Sequence, residues 1–418
     1  MPVLPRTAAF WVVGAVLTAL MAAAGAPSPL YVVYQARWGF SEITLTAVFG
    51  VYAVALLVAL LTVGALSDHI GRRPVLIGAL LAEAVAMGLF IAADNVGWLY
   101  AARALQGLAT GAATSALAAS LIDHQPAARP HLAGLVNGSA PTLGLGVGAV
   151  GAGLLVQYAP APTVLVYALL AAVFLIAAVV VAGIPETSPR RPGALASLAP
   201  RAGVPASARR AFWTAAPALV AVWAVGGFYL SLGPSIAAGV LHLTNHLVGG
   251  LVVAALTFAG AAAAAGASGR PARTVMGGGA VTLAAGLAVT LAGVETGAVP
   301  LFFLGTVVAG FGFGAGFLGA LRTITARAGA GERASLLATM YMLSYAAFAA
   351  PAVGAGAAVP SVGLTGVTLW YGVGAGVLAL AVPVLALAAP SPRHPARTAS
   401  PPEGVEAAVT EGASSPGA

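Results

Sequence analysis

Gly64-Ala65-Leu66-Ser67-Asp68-His69-Ile70-Gly71-Arg72-Arg73-Pro74 sets an acid, a histidine and two adjacent arginines between two long apolar runs. The glycines permit a tight turn and close approach of the flanking segments. Asp68 and the arginines can form charge-assisted hydrogen bonds across that turn. The charges stand out because the surrounding chain has so few: 60% of it is hydrophobic and 7% charged, and the mean hydropathy is +0.97. Soluble domains carry about 25% charged residues. With too little polar surface to cover a water-facing core, a cytosolic enzyme, a disordered chain and a nucleic-acid binder are all excluded as first readings.

Working outward from this turn, a bilayer core about 30 Å thick asks for about 20 apolar residues per helix. Twelve stretches meet that length, near 9–33, 43–66, 75–93, 97–120, 132–156, 163–184, 211–240, 247–268, 275–293, 298–321, 334–358 and 362–389. Their length and continuity exclude β-barrel strands. Arg6, the following apolar run and Ala24-Gly25-Ala26 imitate a cleavable secretory signal, but the run continues through Pro27-Ser28-Pro29-Leu30-Tyr31, so it reads as a retained first helix. All 18 basic residues are arginine, and an N-terminus inside puts 16 of them in cytoplasmic segments, leaving Arg37 outside and Arg103 within a span. By the positive-inside rule both termini are then cytoplasmic. The net charge of +7 therefore reports topology rather than a nucleic-acid partner. The expected organisation is an all-α membrane protein with a six-helix half over 1–184, a cytoplasmic linker over 185–210, a second six-helix half over 211–389 and a disordered cytoplasmic tail over 390–418. The chain has no cysteine, which removes disulfides, thiolate metal sites and a Cys nucleophile. Abundant Ala, Gly, Pro and Arg without Lys points to a GC-rich bacterial genome, and hence to a bacterial inner membrane.

The 64–74 turn resembles the G-x-L-x-D-r-x-G-r-r signature of the major facilitator superfamily, with Gly64, Asp68, Gly71, Arg72 and Arg73 in its positions. That resemblance implies a cytoplasmic gate; without it, the arginines alone would only fix topology. Arg103-Ala104-Leu105-Gln106-Gly107 resembles the family's R-x-x-Q-G motif of the fourth helix. At 100° per residue Arg103, Gln106, Thr110 and Thr114 share one stripe, either facing a cavity or, for the arginine, snorkelling outward from the helix start. In the fifth span Gly138, Pro141 and Gly144 are similar in part to the glycine-proline antiporter motif of exporting members, although Ala140 rather than glycine precedes the proline. Small residues at this spacing also serve plain helix packing. Pro185-Glu186-Thr187 is similar to an ending common in drug-efflux members. In the second half the equivalent turn, 266–273, keeps glycine and arginine but carries no acid, so an asymmetric gate is expected.

Glu83 is the only acid in the middle of a span. Hydrocarbon penalises a charged carboxyl, so this group is either a proton carrier or a permanently neutral acid bonded to a neighbouring helix. Together with Arg103 and Gln106 it forms the expected proton-coupling set. A substrate path needs polar and aromatic groups at mid-depth, and the candidates are Tyr31, Tyr34, Asn137, Trp223, Tyr229, Tyr341, Ser344 and Tyr345, with Phe348 beside them. An aromatic lining with few fixed charges suits amphipathic organic molecules. His242 and His246 lack a third ligand type nearby, so no metal is expected, and no cofactor either. Without lysine there is no Walker motif, which excludes nucleotide-driven pumping. The function these readings converge on is a drug:proton antiporter-like secondary transporter working by alternating access, with an uptake symporter as the alternative and a transport-inactive sensor behind it. It is not expected to be an enzyme, since paired midplane acids, a Ser/Lys dyad and a metal-binding histidine cluster are missing from the sequence. Its expected partners are a small-molecule substrate, protons and membrane lipid, with no nucleic acid or nucleotide, and the chain is expected to act as a monomer.

Overall fold

The computed structural model describes residues 4–388 apart from positions 201, 268, 327, 330 and 331. The expected tail over 390–418, with Arg393 and Arg397, lies outside the described residues, as do Arg201, Arg327 and the proposed span ends at 268 and 389. Helices α1 (Arg6–Gly25) and α2 (Pro27–Trp38) form the first crossing, followed by α3 (Glu42–Thr62), the short α4 (Ser67–Ile70), α5 (Arg72–Ile91), α6 (Val96–His124), α7 (Leu132–Tyr158) and α8 (Pro162–Ala182). The second series is α9 (Ala206–Gly239), α10 (His246–Gly266), α11 (Ala272–Thr296), α12 (Val299–Thr325) and α13 (Arg333–Ala388). Among the described residues there is no strand.

The last element departs from the expected pair of separate spans. It runs for 56 residues and leaves helical geometry only at Gly363, with φ 72° and ψ 164°. A straight helix of that length would reach about 84 Å, nearly three bilayer cores. Gly363 therefore divides it into two crossings, and the described residues make twelve in all. Elsewhere the chain marks its turns with side chains suited to them: the Asn95 and Asn245 carboxamides accept from the N–H groups of Gly97 and Leu247 at 2.8 and 2.9 Å, satisfying orphan donors at the starts of α6 and α10. Gly39 and Gly297 take the left-handed conformation that closes α2 and α11.

The two series repeat each other. Phe10 and Trp11 in α1 are mirrored by Phe212 and Trp213 in α9, each pair edge-on at 5.2 and 5.4 Å. From Arg72 to Phe90 in α5 and from Ala272 to Thr290 in α11 the succession of buried and exposed positions is the same. The halves meet where α3 packs on α13 and α7 on α10, with α2 reaching α9 and α10. At the α7–α10 contact a Cβ on Gly250 would fall on the Ala149 carbonyl, so only glycine allows this approach. Large apolar side chains such as Val54, Ile176, Val179, Trp370 and Val377 are more than half exposed, the surface a lipid solvent requires. One end of the bundle gathers Arg6, Arg72, Arg73, Arg190, Arg191, Arg209, Arg210, Arg270, Arg273, Arg322 and Arg333. It is termed the arginine-rich end below.

Candidate functional site

At the arginine-rich end the 64–74 turn is locked into the first half. Gly71 adopts φ 103°, and the Glu186 carboxylate stands where its Cβ would be, so glycine is required twice over. That carboxylate crowns the start of α5: Oε1 accepts from the backbone N–H of Arg72 at 2.9 Å and Oε2 from that of Arg73 at 3.0 Å. Thr187 and Ser188 donate their own N–H groups to Oε1, both at 3.0 Å. An anion here complements the positive helix end. The Arg72 Nε donates to Asp123 Oδ2 at 2.6 Å and its Nη1 to Asp68 Oδ1 at 3.2 Å. The Thr187 hydroxyl donates to the same Asp123 oxygen at 2.7 Å, and Arg6 bonds the Asp123 carbonyl at 2.7 Å. Arg73 reaches the Ile184 carbonyl at 3.4 Å. With Asp68 60% exposed and Asp123 29%, the Asp123 bond is the stronger hold on Arg72, since exposed pairs contribute little.

The segment after α8 carries this cluster to the second half. The N–H of Arg191 bonds the His69 carbonyl at 2.8 Å. Farther on, the N–H of Gly203 bonds the Thr339 hydroxyl at 2.8 Å and Ser207 donates to Glu332 at 3.1 Å. Both contacts lie at the start of α13.

Deeper in the first half, Arg103, Gln106, Glu83 and Thr110 are fully buried. Proline explains part of how this cluster is held. Pro27 has no N–H, which leaves the Ala23 carbonyl of α1 free to accept from Gln106 Nε2 at 2.9 Å, while Ala24 accepts from Arg103 Nη1 at 3.3 Å. Arg103 also donates to the Tyr31 hydroxyl at 2.7 Å and to Gln106 at 2.8 Å. Its guanidinium lies 4.8 Å from the centroid of Tyr52, 5.6 Å from that of Tyr31 and 6.0 Å from that of Phe49. Aromatic faces stabilise a desolvated cation. The Thr110 hydroxyl donates to Glu83 Oε1 at 2.6 Å, and Glu83 Oε2 has no hydrogen-bond partner.

The expected substrate residues separate into two groups. Trp223, Tyr341 and Tyr345 are half-buried and gather with Phe348, Phe49 and Phe317 where α3, α9, α12 and α13 converge. Ring centroids there lie 4.9 Å apart for Trp223 and Tyr345 and 4.8 Å for Phe49 and Phe348. Ser344, fully buried on α13, and the Trp223 indole nitrogen have no hydrogen-bond partner. Tyr31 and Tyr34 are instead buried inside the first half and Tyr229 inside the second. The Tyr229 hydroxyl meets Thr290 at 3.3 Å and Thr306 at 3.2 Å, beside a cavity of about 20 Å³. In α7, Asn137, Gly138 and Pro141 are half-buried, whereas Gly144 is buried against Thr18 and Met21 of α1.

Sequence reasoning missed Tyr52, Phe49 and Phe317, and did not foresee Glu186 as the cap of α5. Tyr52 could have been suspected as the one phenol of its span. The need for a capping anion was also visible, because α5 opens on two arginines with no acid in its first turn.

A family model described as the Major Facilitator Superfamily matches residues 9–272. No curated protein sequence matches the chain. Among solved structures, the human organic anion transporter MFSD10 (TETRAN) is similar with a TM-score of 0.64 and 18% identity, over 91% of this chain and 99% of that one. A bacterial homolog of the human lysosomal transporter Spinster, in an inward-facing and unoccupied conformation, is similar with a TM-score of 0.69 and 14% identity, over 92% of this chain and 95% of that one.

Proposed function

The chain belongs to the major facilitator superfamily and is a multi-pass secondary transporter, and from that premise we propose that it exports amphipathic drugs or metabolites in exchange for protons. The observation that carries the reading is the buried Glu83, with one carboxyl oxygen unbonded, beside the buried Arg103. An acid inside the membrane that keeps an oxygen free is suited to taking up a proton, and a cation close by makes its two protonation states differ in their effect on the surrounding helices. The aromatic gathering around Trp223 and Tyr345 offers apolar faces for the substrate.

In this reading the arginine-rich end faces the cytoplasm of a bacterial cell, with both termini there. The two halves, 1–184 and 211–389, rock about the aromatic centre and open it to each side in turn, while the 185–210 segment links them. Asp68 with Arg72 and Arg73, the arginines held by Asp123 and Glu186, form the cytoplasmic gate. The carrier works as a monomer, since every group invoked lies within one chain. Substrate and proton drive the switch only through different affinities for its two states. Everted membrane vesicles with a pH-gradient dye test the reading: a panel of amphipathic compounds should contain members that collapse the gradient in wild type and leave it standing in Asp68→Asn. A panel without effect on wild type would overturn export and turn attention to uptake.

A further inference from the structure

Among the described residues, six buried polar atoms of the first half have no hydrogen-bond partner: His124 Nε2 at the arginine-rich end and, deeper or toward the opposite end, Ser28 Oγ, Tyr34 OH, Tyr167 OH, Arg103 Nη2 and Glu83 Oε2. Buried polar groups are nearly always bonded, to protein or to ordered water. Such a concentration in one region therefore calls for an explanation. Tyr34 is stacked on Trp38 at 4.8 Å, and Tyr167 on Phe90 at 4.4 Å, so each ring is fixed with its hydroxyl toward the other. The two hydroxyls lie close to each other and to Tyr31 without meeting hydrogen-bond geometry. At about 1.5 Å per residue, Tyr34 lies about 6 Å in from the end of α2, Tyr167 about 8 Å from the start of α8, Tyr31 and Arg103 about 10 Å, and Glu83 about 12 Å from the end of α5. These groups descend as steps from the end opposite the arginines.

We propose that Tyr34, Tyr167 and Tyr31 relay protons from the outer end of the first half to Glu83, along their neighbouring hydroxyls, on a route separate from the substrate path between the halves. The proposal rests on the proton-coupled reading above. Each transfer forms one O–H bond as another breaks: hydronium at the outer end gives up a proton, the last donor passes one to Glu83 Oε2, and every hydroxyl ends as it began. Glu83 needs such a route because it is fully buried on α5, which packs on α6 and α8 of its own half. Around it α6 brings Arg103 and Thr110, α3 brings Tyr52, α2 brings Tyr31 beyond them, and α8 brings Tyr167 nearer the outer end. Neutralising the Glu83 carboxylate removes the charge that balances Arg103, whose bond to Ala24 sits at the α1–α2 junction. Proton arrival is thereby transmitted to the first crossing.

The test uses the full chain in proteoliposomes, comparing wild type, Glu83→Gln and the double variant Tyr34→Phe with Tyr167→Phe, which keeps both ring stacks. Substrate-driven proton flux in the double variant should fall about tenfold, with a changed solvent deuterium isotope effect, while substrate counterflow without a pH gradient stays at the wild-type rate. Wild-type proton flux in the double variant, alongside a silent Glu83→Gln, would show that protons reach Glu83 by another way and overturn the relay alone. Undiminished flux in Glu83→Gln would overturn the coupling reading and the relay with it. Loss of counterflow in the double variant and in both single variants would assign the tyrosines a structural role and overturn the relay.

Discussion

The two halves of this transporter share a scaffold and differ in charge. Along α5 and α11 the buried and exposed positions follow one another identically, yet Leu283 occupies in α11 the place of Glu83 in α5. Along α6 and α12 the same correspondence sets Thr306 in the place of Arg103. The first half therefore encloses an acid, a guanidinium and a carboxamide, the last tied to the Ala23 carbonyl that Pro27 sets free. In the second half Thr306 instead joins a neutral trio with Tyr229 and Thr290. The two turns differ in the same way, since the 64–74 turn has Asp68, Asp123 and Glu186 around its arginines and the 266–273 turn has no acid. Packing compensates: α11 and α12 meet through glycines at 279, 286, 293, 305, 312 and 319, each too close to the facing backbone for a Cβ. Among the described residues one half thus buries ionisable side chains and the other only neutral ones, and under the proposed function the first changes charge state while the second keeps its shape, a division that repeated folds allow.

The comparison can be broken first at its most charged point. Arg103→Ala strands Glu83 and removes the donors to Tyr31 and Ala24, which should cost about 3–5 kcal/mol in unfolding followed in detergent, whereas Thr306→Ala at the corresponding place should cost about 1 kcal/mol. Equal losses would mean that the two halves depend on these positions alike. Writing the acid into the other half is the next test: Leu283→Glu buries a carboxyl without a guanidinium, and a loss of about 3 kcal/mol is expected, with unchanged stability counting against the asymmetry. At the 64–74 turn, Glu186→Gln weakens the anion on the start of α5 and should cost about 1 kcal/mol, read as a lowered midpoint of thermal unfolding. The smallest effect belongs to Tyr229→Phe, about 0.5–1 kcal/mol, with transport retained. A transport-dead Tyr229→Phe would move part of the coupling into the second half.

Much of this was legible in the chain itself. Span length and arginine placement gave the twelve crossings, and the Asp68 turn and the Arg103 stripe pointed to the two polar clusters that the structure holds together. Glu83 stood out as the one acid amid hydrocarbon. Three things were hidden. Val359–Pro360–Ser361 reads as a break, but the helix continues through it and turns at Gly363 because a proline can be tolerated inside a membrane helix when neighbours satisfy the freed groups. The aromatic candidates Tyr31, Tyr34 and Tyr229 carry the same sequence signal as Tyr341 and Tyr345, and only helix rotation decides that they point into their own halves. The capping of α5 by Glu186 joins residues more than a hundred positions apart, a contact that no local pattern encodes.

The central claim is that coupling resides in the first half, at Glu83. Its most direct test is proton release by the purified transporter on binding an amphipathic substrate, followed with an indicator dye in weakly buffered detergent solution. Wild type and Leu283→Ala are predicted to release protons as substrate saturates, and Glu83→Gln to bind substrate with no release. Equal release by Glu83→Gln and wild type would contradict the account.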